Sequence, residues 1–295
     1  MKCNLIWYRL LTAALATLNN WQRCLTFLQE KQLLKIEINP SVSVGKITRW
    51  LPLNPLTLVT AVRQAHRPQN LMNYLSVIIP TLNEELRIAA TLKQIGAGVE
   101  IIVVDGGSTD KTREIAEQLG AKVIISPSKG RAFQMNIGAK IAKRDILLFL
   151  HGDTLLPQNY QEQIINTLSQ SGIVAGAFEL KIDGEKKNLR LVEKLVNWRS
   201  RCFSLPYGDQ GIFLKASIFA DLGGFPELPI MEDFELIQRL KKRGKIAIVS
   251  PPVITSARRW QKLGIGKTTL VNQLVIIGYY LKIPPHLLKS FYRLW

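Results

Sequence analysis

The sequence predicts an α/β domain from about Tyr74 onward, with a mostly parallel central sheet covered by helices on both faces. Three observations carry this expectation. Apolar runs of strand length recur, they are continuous and not alternating, and segments with helical spacing separate them. Continuous apolar strands joined by helical crossovers belong to a sheet buried on both sides.

The elements follow in order. Leu75 to Ile79 reads as a buried strand ended by Pro80, and helical spacing runs from Glu84 to Ile95. Ile101 to Val104 is the next strand, followed by a helix from Thr109 to Leu119. Val123 to Ile125 is a short strand, Gly130 to Ala142 a helix, and Ile146 to Leu150 a strand. Further on, Ile212 to Leu214 reads as a strand. Leu270 to Leu281, ahead of Pro284 and Pro285, reads as a C-terminal apolar helix spanning about 267–282 and packed as core. No repeat or low-complexity tract interrupts the series.

Residues 1–71 have a different character. They hold nine Lys and Arg against two acids, Glu30 and Glu37. Helical spacing runs from Leu5 to Leu34, and Pro40, Pro52, Pro55 and Pro68 then punctuate a stretch without a period. The expectation is a basic N-terminal extension, helical or irregular, followed by a catalytic domain over residues 72–295. Met72 stands immediately before the first strong strand, where an alternative translation start would fall.

The charge balance narrows the partners. Thirty-nine Lys and Arg against 22 Asp and Glu give +17, which favours anionic partners: nucleic acid, acidic phospholipid or phosphorylated small molecules. Three scattered cysteines, Cys3, Cys24 and Cys202, exclude a disulfide scaffold and fit a reducing cytosol. No apolar run reaches the roughly 18–20 residues a membrane-spanning helix needs. Leu10 to Leu18 has a weak signal-peptide look, broken by Arg9. The expected location is the cytoplasm, with peripheral contact on an anionic inner leaflet through the basic N-terminus and the apolar C-terminal helix.

In an open sheet of this kind ligands bind outside the carboxyl ends of the strands. Asp105 directly follows the second strand and Asp153 lies just beyond the fourth, so both acids fall at that edge. The plain alternative is that each caps a following turn or helix, which Asp does well.

Several motifs then stand in order. Val77-Ile78-Ile79-Pro80-Thr81-Leu82-Asn83-Glu84-Glu85 precedes Val103-Val104-Asp105-Gly106-Gly107-Ser108-Thr109-Asp110. Lys129-Gly130-Arg131-Ala132-Phe133-Gln134-Met135-Asn136-Ile137-Gly138, Leu150-His151-Gly152-Asp153-Thr154, Met231-Glu232-Asp233-Phe234-Glu235 and Ser256-Ala257-Arg258-Arg259-Trp260 follow. Over about residues 75–260 this set resembles glycosyltransferase family 2, whose members have the GT-A fold, a Rossmann-like arrangement for nucleotide-diphospho-sugar transfer. The Gly-Arg-Ala-x-Gln-Met-Asn and Ala-Arg-Arg-Trp pieces resemble the subgroup labelled "transferase 2, rSAM/selenodomain-associated", linked by association to arsenosugar synthesis. Related sequences are labelled carotenoid-acid glycosyltransferases.

The resemblance implies roles. Pro80, Thr81, Asn83 and Glu84 would line a nucleoside pocket, Asp105 would contact base or ribose, and Arg131 would stand beside the nucleotide. A carboxylate suits an imide N–H or ribose hydroxyls, and a guanidinium suits phosphate. Asp153 matches the last acid of the family's Asp-x-Asp metal motif and implies Mg or Mn, which neutralises a departing diphosphate. His151 stands in place of the first acid and, as a lone imidazole, reads better as a packing residue than as a ligand. Asp233 matches the general base of inverting members, with Glu232 positioning it or serving as a helix-start acid. Asp209 and Gln210 would meet donor or acceptor sugar, and Arg258, Arg259 and Trp260 would close the site or, equally, form a membrane-facing basic patch. The implied donor is a UDP-, GDP- or dTDP-sugar, the acceptor a small molecule or lipid, and nucleic acid is not a partner.

Other readings remain. Gly264-Ile265-Gly266-Lys267-Thr268 looks like a phosphate loop but has Gln261 where the leading Gly belongs. Gly96-Ala97-Gly98 has Ile101 where a dinucleotide fingerprint needs its third Gly. Nucleotidyl transfer would put a Gly-rich, basic loop after the first strand, where Pro80 to Asn83 stand. A non-catalytic, membrane-associated nucleotide-sugar-binding protein would not need Asp105, Asp153 and Asp233 together.

Overall fold

The computed structural model describes residues 74–294 with the exception of Ala97. The expected N-terminal helix, the proline-rich stretch, Met72, Cys3 and Cys24 lie outside the described residues.

Eight strands form one sheet: β1 (Leu75–Thr81), β2 (Glu100–Asp105), β3 (Lys122–Ile125), β4 (Ile146–Phe149), β5 (Thr154–Leu155), β6 (Ile173–Asp183), β7 (Ile212–Lys215) and β8 (Lys245–Ser256). Among the described residues ten α-helices flank it: α1 (Ile88–Ile95), α2 (Thr112–Gln118), α3 (Arg131–Ile141), α4 (Tyr160–Leu168) and α5 (Lys187–Phe203) come first. α6 (Ala216–Asp221), α7 (Glu232–Lys241), α8 (Arg258–Leu263), α9 (Ile265–Tyr280) and α10 (Pro285–Leu294) complete the set.

The sheet order is β3-β2-β1-β4-β7-β6-β8-β5. The first four strands in that order pair in parallel, as the crossover helices require. The second half is mixed, because β7 runs antiparallel to both β4 and β6 while β6 and β8 are parallel. Alternate residues of β1 separate two cores. Val77 and Ile79 face α1 and α4 through Ile88, Leu92 and Ile164, whereas Ile78 faces α3 and α7 through Met135 and Leu236. A β-carbon on Gly138 would sit 2.4 Å from Ile78 Cγ2, so glycine sets the close approach of α3 to β1.

Three expected boundaries move, each for a local reason. β1 continues through Pro80 to Thr81, because β4 pairs with it only as far as Ile78 opposite Phe149. Pro80 thus lacks its N–H where that ladder has ended, while pairing with β2 continues. The first helix starts at Ile88 and not at Glu84. Backbone N–H groups of Glu84 and Glu85 instead donate to Thr112 Oγ1 (2.7 Å), at the start of α2, and to Asp110 Oδ2 (3.1 Å), in the loop before it. That loop, 106–111, delays the second helix from Thr109 to Thr112.

The C-terminal helix is not core throughout. Val271, Val275 and Gly278 are buried, but Leu270, Leu274, Ile277, Tyr280 and Leu281 are exposed. After it, α10 adds a helix that the prolines had masked.

Candidate active site

Two loops at the carboxyl ends of β1 and β2 are tied together by their own side chains. Asn83, at φ 55°, accepts the N–H of Thr109 on Oδ1 (2.9 Å) and donates its own N–H to Ser108 Oγ (2.9 Å). Asp105 is fully buried at the centre. Its Oδ2 accepts N–H bonds from Gly107 (2.9 Å) and Ser108 (2.8 Å), and its Oδ1 accepts the Ser108 hydroxyl, with Thr81 Oγ1 at 3.5 Å. Four donors of the chain itself surround the carboxylate. These bonds shape the loop around the carboxylate expected to contact a base or ribose. Thr81 is likewise buried beneath the loop, while Pro80 is half-buried and Leu82 is 55% exposed at its rim.

The motif around α3 divides its labour. Gln134 donates through Nε2 to the carbonyls of Thr81 (2.9 Å) and Val104 (2.7 Å), latching the ends of β1 and β2. Asn136 exchanges two bonds of 2.9 Å with the backbone of Phe225. Arg131 alone faces the cleft. It lies at the helix start, half-exposed, 3.6 Å from the buried Glu232 carboxylate and 3.5 Å from His151 Nε2.

Beyond β4, Asp153 is mostly buried and lies 3.5 Å from Arg258 at the start of α8. The same guanidinium forms a forked pair with Glu84 at 2.7 and 3.2 Å. The hydrogen bond and charge of Glu84, with that of Asp153, raise the Arg258 pKa despite partial desolvation. His151 is pushed down to about 3 by burial and then by Arg131, so its ring is neutral at physiological pH.

On the opposite wall, Glu232 and Asp233 open α7 where the helix dipole favours anions. Asp233 Oδ2 accepts the Gly208 N–H at 2.7 Å, and Oδ1 accepts the Phe234 N–H at 2.7 Å. Burial and the neighbouring Asp233 raise the Glu232 pKa, opposed by Arg131. Asp209 is pushed up to about 6 by burial, against Arg199, with Asp233 and Asp153 adding repulsion. Its Oδ1 has no hydrogen-bond partner among the described residues. Asp153, Asp209, Asp233 and Arg131 thus share one electrostatic neighbourhood although they come from four separate segments.

Two expected site residues are packed inward. Gln210 is fully buried, donating to the Phe178 carbonyl (2.8 Å) and accepting from Ser200 Oγ (2.8 Å) and the Tyr207 N–H (3.1 Å). These bonds hold the turn. Trp260 is partly buried and packs against the core on the α1 side, which anchors α8. Arg259 stacks on the Tyr292 ring at 3.8 Å, with Nε and Nη2 buried and without hydrogen-bond partners among the described residues.

Residues 76–219 match the model of Glycosyl transferase family 2. That stretch, just under half of the chain, is similar to this family. An uncharacterized glycosyltransferase of Rickettsia felis is 40% identical over 94 residues, 32% of this chain and 33% of the relative. One from Mycobacterium tuberculosis is 36% identical over 78 residues, 26% of this chain and 36% of its own length. The aligned stretch spans about a third of the length of these curated relatives. S. aureus TarS 1–349 in complex with UDP superposes with a TM-score of 0.51 at 21% identity, covering 62% of this chain and 60% of that one. Full TarS gives 0.51 at 19% identity, covering 72% and 40%. These likenesses establish the GT-A arrangement of the domain.

Whether the site suits a divalent cation is a question of its donors. Among the described residues, no three His, Cys, Asp or Glu side chains converge. Asp153 supplies one carboxylate at the mouth, and neutral His151 turns Nε2 towards Arg131. That set fits a cation completing its shell with phosphate oxygens and water, the usual habit of Mg.

Arg199 and Tyr292 carried no motif in the sequence. The Arg199 guanidinium lies 3.4 Å from the Tyr207 ring centre and faces Asp209 from α5, and Tyr292 arrives from α10. Only packing of α5 and α10 brings them to the cleft.

Proposed function

We propose that this chain is an inverting glycosyltransferase, moving a sugar from a nucleotide-diphosphate donor to a hydroxyl acceptor with Asp233 as the general base. One observation supports the reading above the rest. Asp233 is held at a helix N-terminus by the Gly208 N–H, in the same electrostatic neighbourhood as Asp153 and beside the Arg131 cation. A base on one wall and a diphosphate-binding carboxylate on another are the arrangement that in-line displacement requires.

In this reading the donor lies over the 80–84 and 106–109 loops, its diphosphate between Arg131, Arg258 and Asp153. Asp233 takes the proton of the acceptor hydroxyl as its oxygen bonds to the anomeric carbon. The bond from that carbon to phosphate breaks, its electron pair leaves with the diphosphate, and the anomeric configuration inverts. A divalent cation bound with the donor, held by Asp153, would neutralise the charge gathering on the leaving group. Arg258 would exchange its carboxylate partners for phosphate oxygens, a geometry the guanidinium fork suits.

The subgroup resemblance, a catalytic unit beginning near Met72 and a cytoplasmic site of action belong to the same proposal. Exposed, unpaired Cys202 accords with a reducing compartment. UDP is the first donor base to screen, since TarS has been crystallised with it.

The test combines two measurements. Calorimetric titration with UDP, GDP and dTDP, with and without Mn, should show one preferred diphosphate. Asp233→Asn should keep that affinity within about threefold while transfer falls by at least about 10²-fold. Wild-type turnover in the variant would remove Asp233 from the mechanism.

A further inference from the structure

Two neighbouring helices expose apolar stripes that the domain itself leaves uncovered. On α5, Leu191 (60% exposed), Leu195 and Trp198 recur at helical spacing on one side, and Phe203 ends the helix. On α9, which packs against α5 and α10, Leu270, Leu274, Ile277 and Leu281 form a second stripe. Isolated exposed leucines are ordinary, but successive turns of two adjacent helices are not.

An independent observation concerns charge. Glu235 is the last acid in the chain: residues 236–295 hold twelve Lys and Arg and no Asp or Glu. Lys262, Lys267 and Lys282 are exposed on and around α9, and Lys187 and Lys194 flank the stripe on α5. The only acid in α5, Glu193, lies on the inner side, accepting from the Ile182 N–H and pairing with Arg190. An apolar stripe, a cationic margin and interfacial aromatics such as Trp198 and Tyr280 are the features of a surface that lies in a lipid headgroup layer. No helix among the described residues is long and apolar enough to cross a membrane.

We propose that the α5–α9 face seats on an anionic phospholipid bilayer. The expectation drawn from residues 267–282 and the N-terminus thereby becomes a defined face of two helices with named anchors. Attachment there would also hold the catalytic cleft near the interface. Tyr279 of α9 donates its hydroxyl to Glu235 of α7, and Tyr279 and Tyr280 pack on Phe234, next to Asp233. A second copy of the chain would meet its own cationic margin across the face, which disfavours self-association.

The experiment is co-sedimentation of the full chain with vesicles of phosphatidylcholine alone or mixed with phosphatidylglycerol. Binding is expected only with the anionic mixture, and should be lost at about 1 M salt, where charges are screened beyond about 3 Å. Leu274→Asp combined with Ile277→Asp should lower the vesicle affinity more than tenfold. Thermal unfolding checks that this variant folds; should it be destabilised, Trp198→Ser carries the same test with at least a threefold loss. No sedimentation with anionic vesicles overturns the proposal. So does binding that none of these substitutions changes, which would place the attachment elsewhere in the chain. A doubled mass by light scattering, halved by the same substitutions, would assign the face to a second copy instead.

Discussion

The Gly208 N–H donates to Asp233 Oδ2 at 2.7 Å, and a β-carbon on Gly208 would lie 3.1 Å from that oxygen and 3.3 Å from His151 Nε2. Glycine at this position therefore sets the carboxylate's orientation and clears the space in front of it. Gly208→Ala should lower kcat about tenfold by displacing the base by a few tenths of an ångström, with a change in stability below about 1 kcal/mol. Steady-state kinetics and a urea melt check this. An unaltered kcat would mean the base tolerates displacement or is another group.

Asp209 provides a pH signature. Its folded pKa of about 6 lies above the ordinary 3.8, so the folded state binds a proton that the unfolded chain has already released. Stability from this group is complete below about pH 4 and is lost as the pH rises through 6. Asp209→Asn should leave stability at pH 4 unchanged and raise it at pH 7.5 by an amount on the order of 1 kcal/mol, since the residue is partly exposed. Melting temperature measured across that range should be flatter in the variant. A parallel shift at all pH values would contradict the assignment.

In the proposed mechanism Asp153 is the carboxylate that holds the cation at the diphosphate. Asp153→Asn should remove the Mn-dependent part of nucleoside diphosphate affinity, about tenfold, and leave the Mn-free affinity nearly as it was. Titration calorimetry with and without chelator reads both. Retained Mn dependence in the variant would rule out Asp153 as the cation's holder.

Asp105 separates folding from recognition. Replacing it by Asn turns two acceptors into an amide that must face the N–H groups of Gly107 and Ser108, or flip away from the Ser108 hydroxyl. Asp105→Asn should cost about 3 kcal/mol of stability. Nucleotide affinity should fall only to the extent that the 106–109 loop is disturbed. A stable variant with a selective loss of nucleotide binding would place Asp105 in direct contact.

Much of the first half of the fold was legible in the sequence. β1, β2, β4 and α3 are long, continuously apolar or strongly periodic, and nearest-neighbour parallel pairing follows from their crossovers. The antiparallel insertion of β7 and the short strand β5 were not legible, because β7 pairs with β4 more than sixty residues away and β5 with β8 about a hundred away. The candidate site divided in the same way. Arg131, Asp153, Asp209 and Asp233 share one electrostatic neighbourhood, whereas Gln210 is buried and Trp260 packs against the core.

The sequence by itself determined the buried strands, the acids at the sheet's carboxyl edge and the strongly basic C-terminal quarter. Spacing and charge are local properties, readable without coordinates. Only the tertiary structure decided what each acid faces. A carboxylate's role depends on which donors surround it: Asp105 spends its acceptors on its own loop, while Asp233, oriented by the Gly208 N–H, faces the cleft. Packing also decided that α9 buries Val271 and Val275 but leaves Leu270, Leu274 and Ile277 exposed, which turned an apparent core helix into an exposed face.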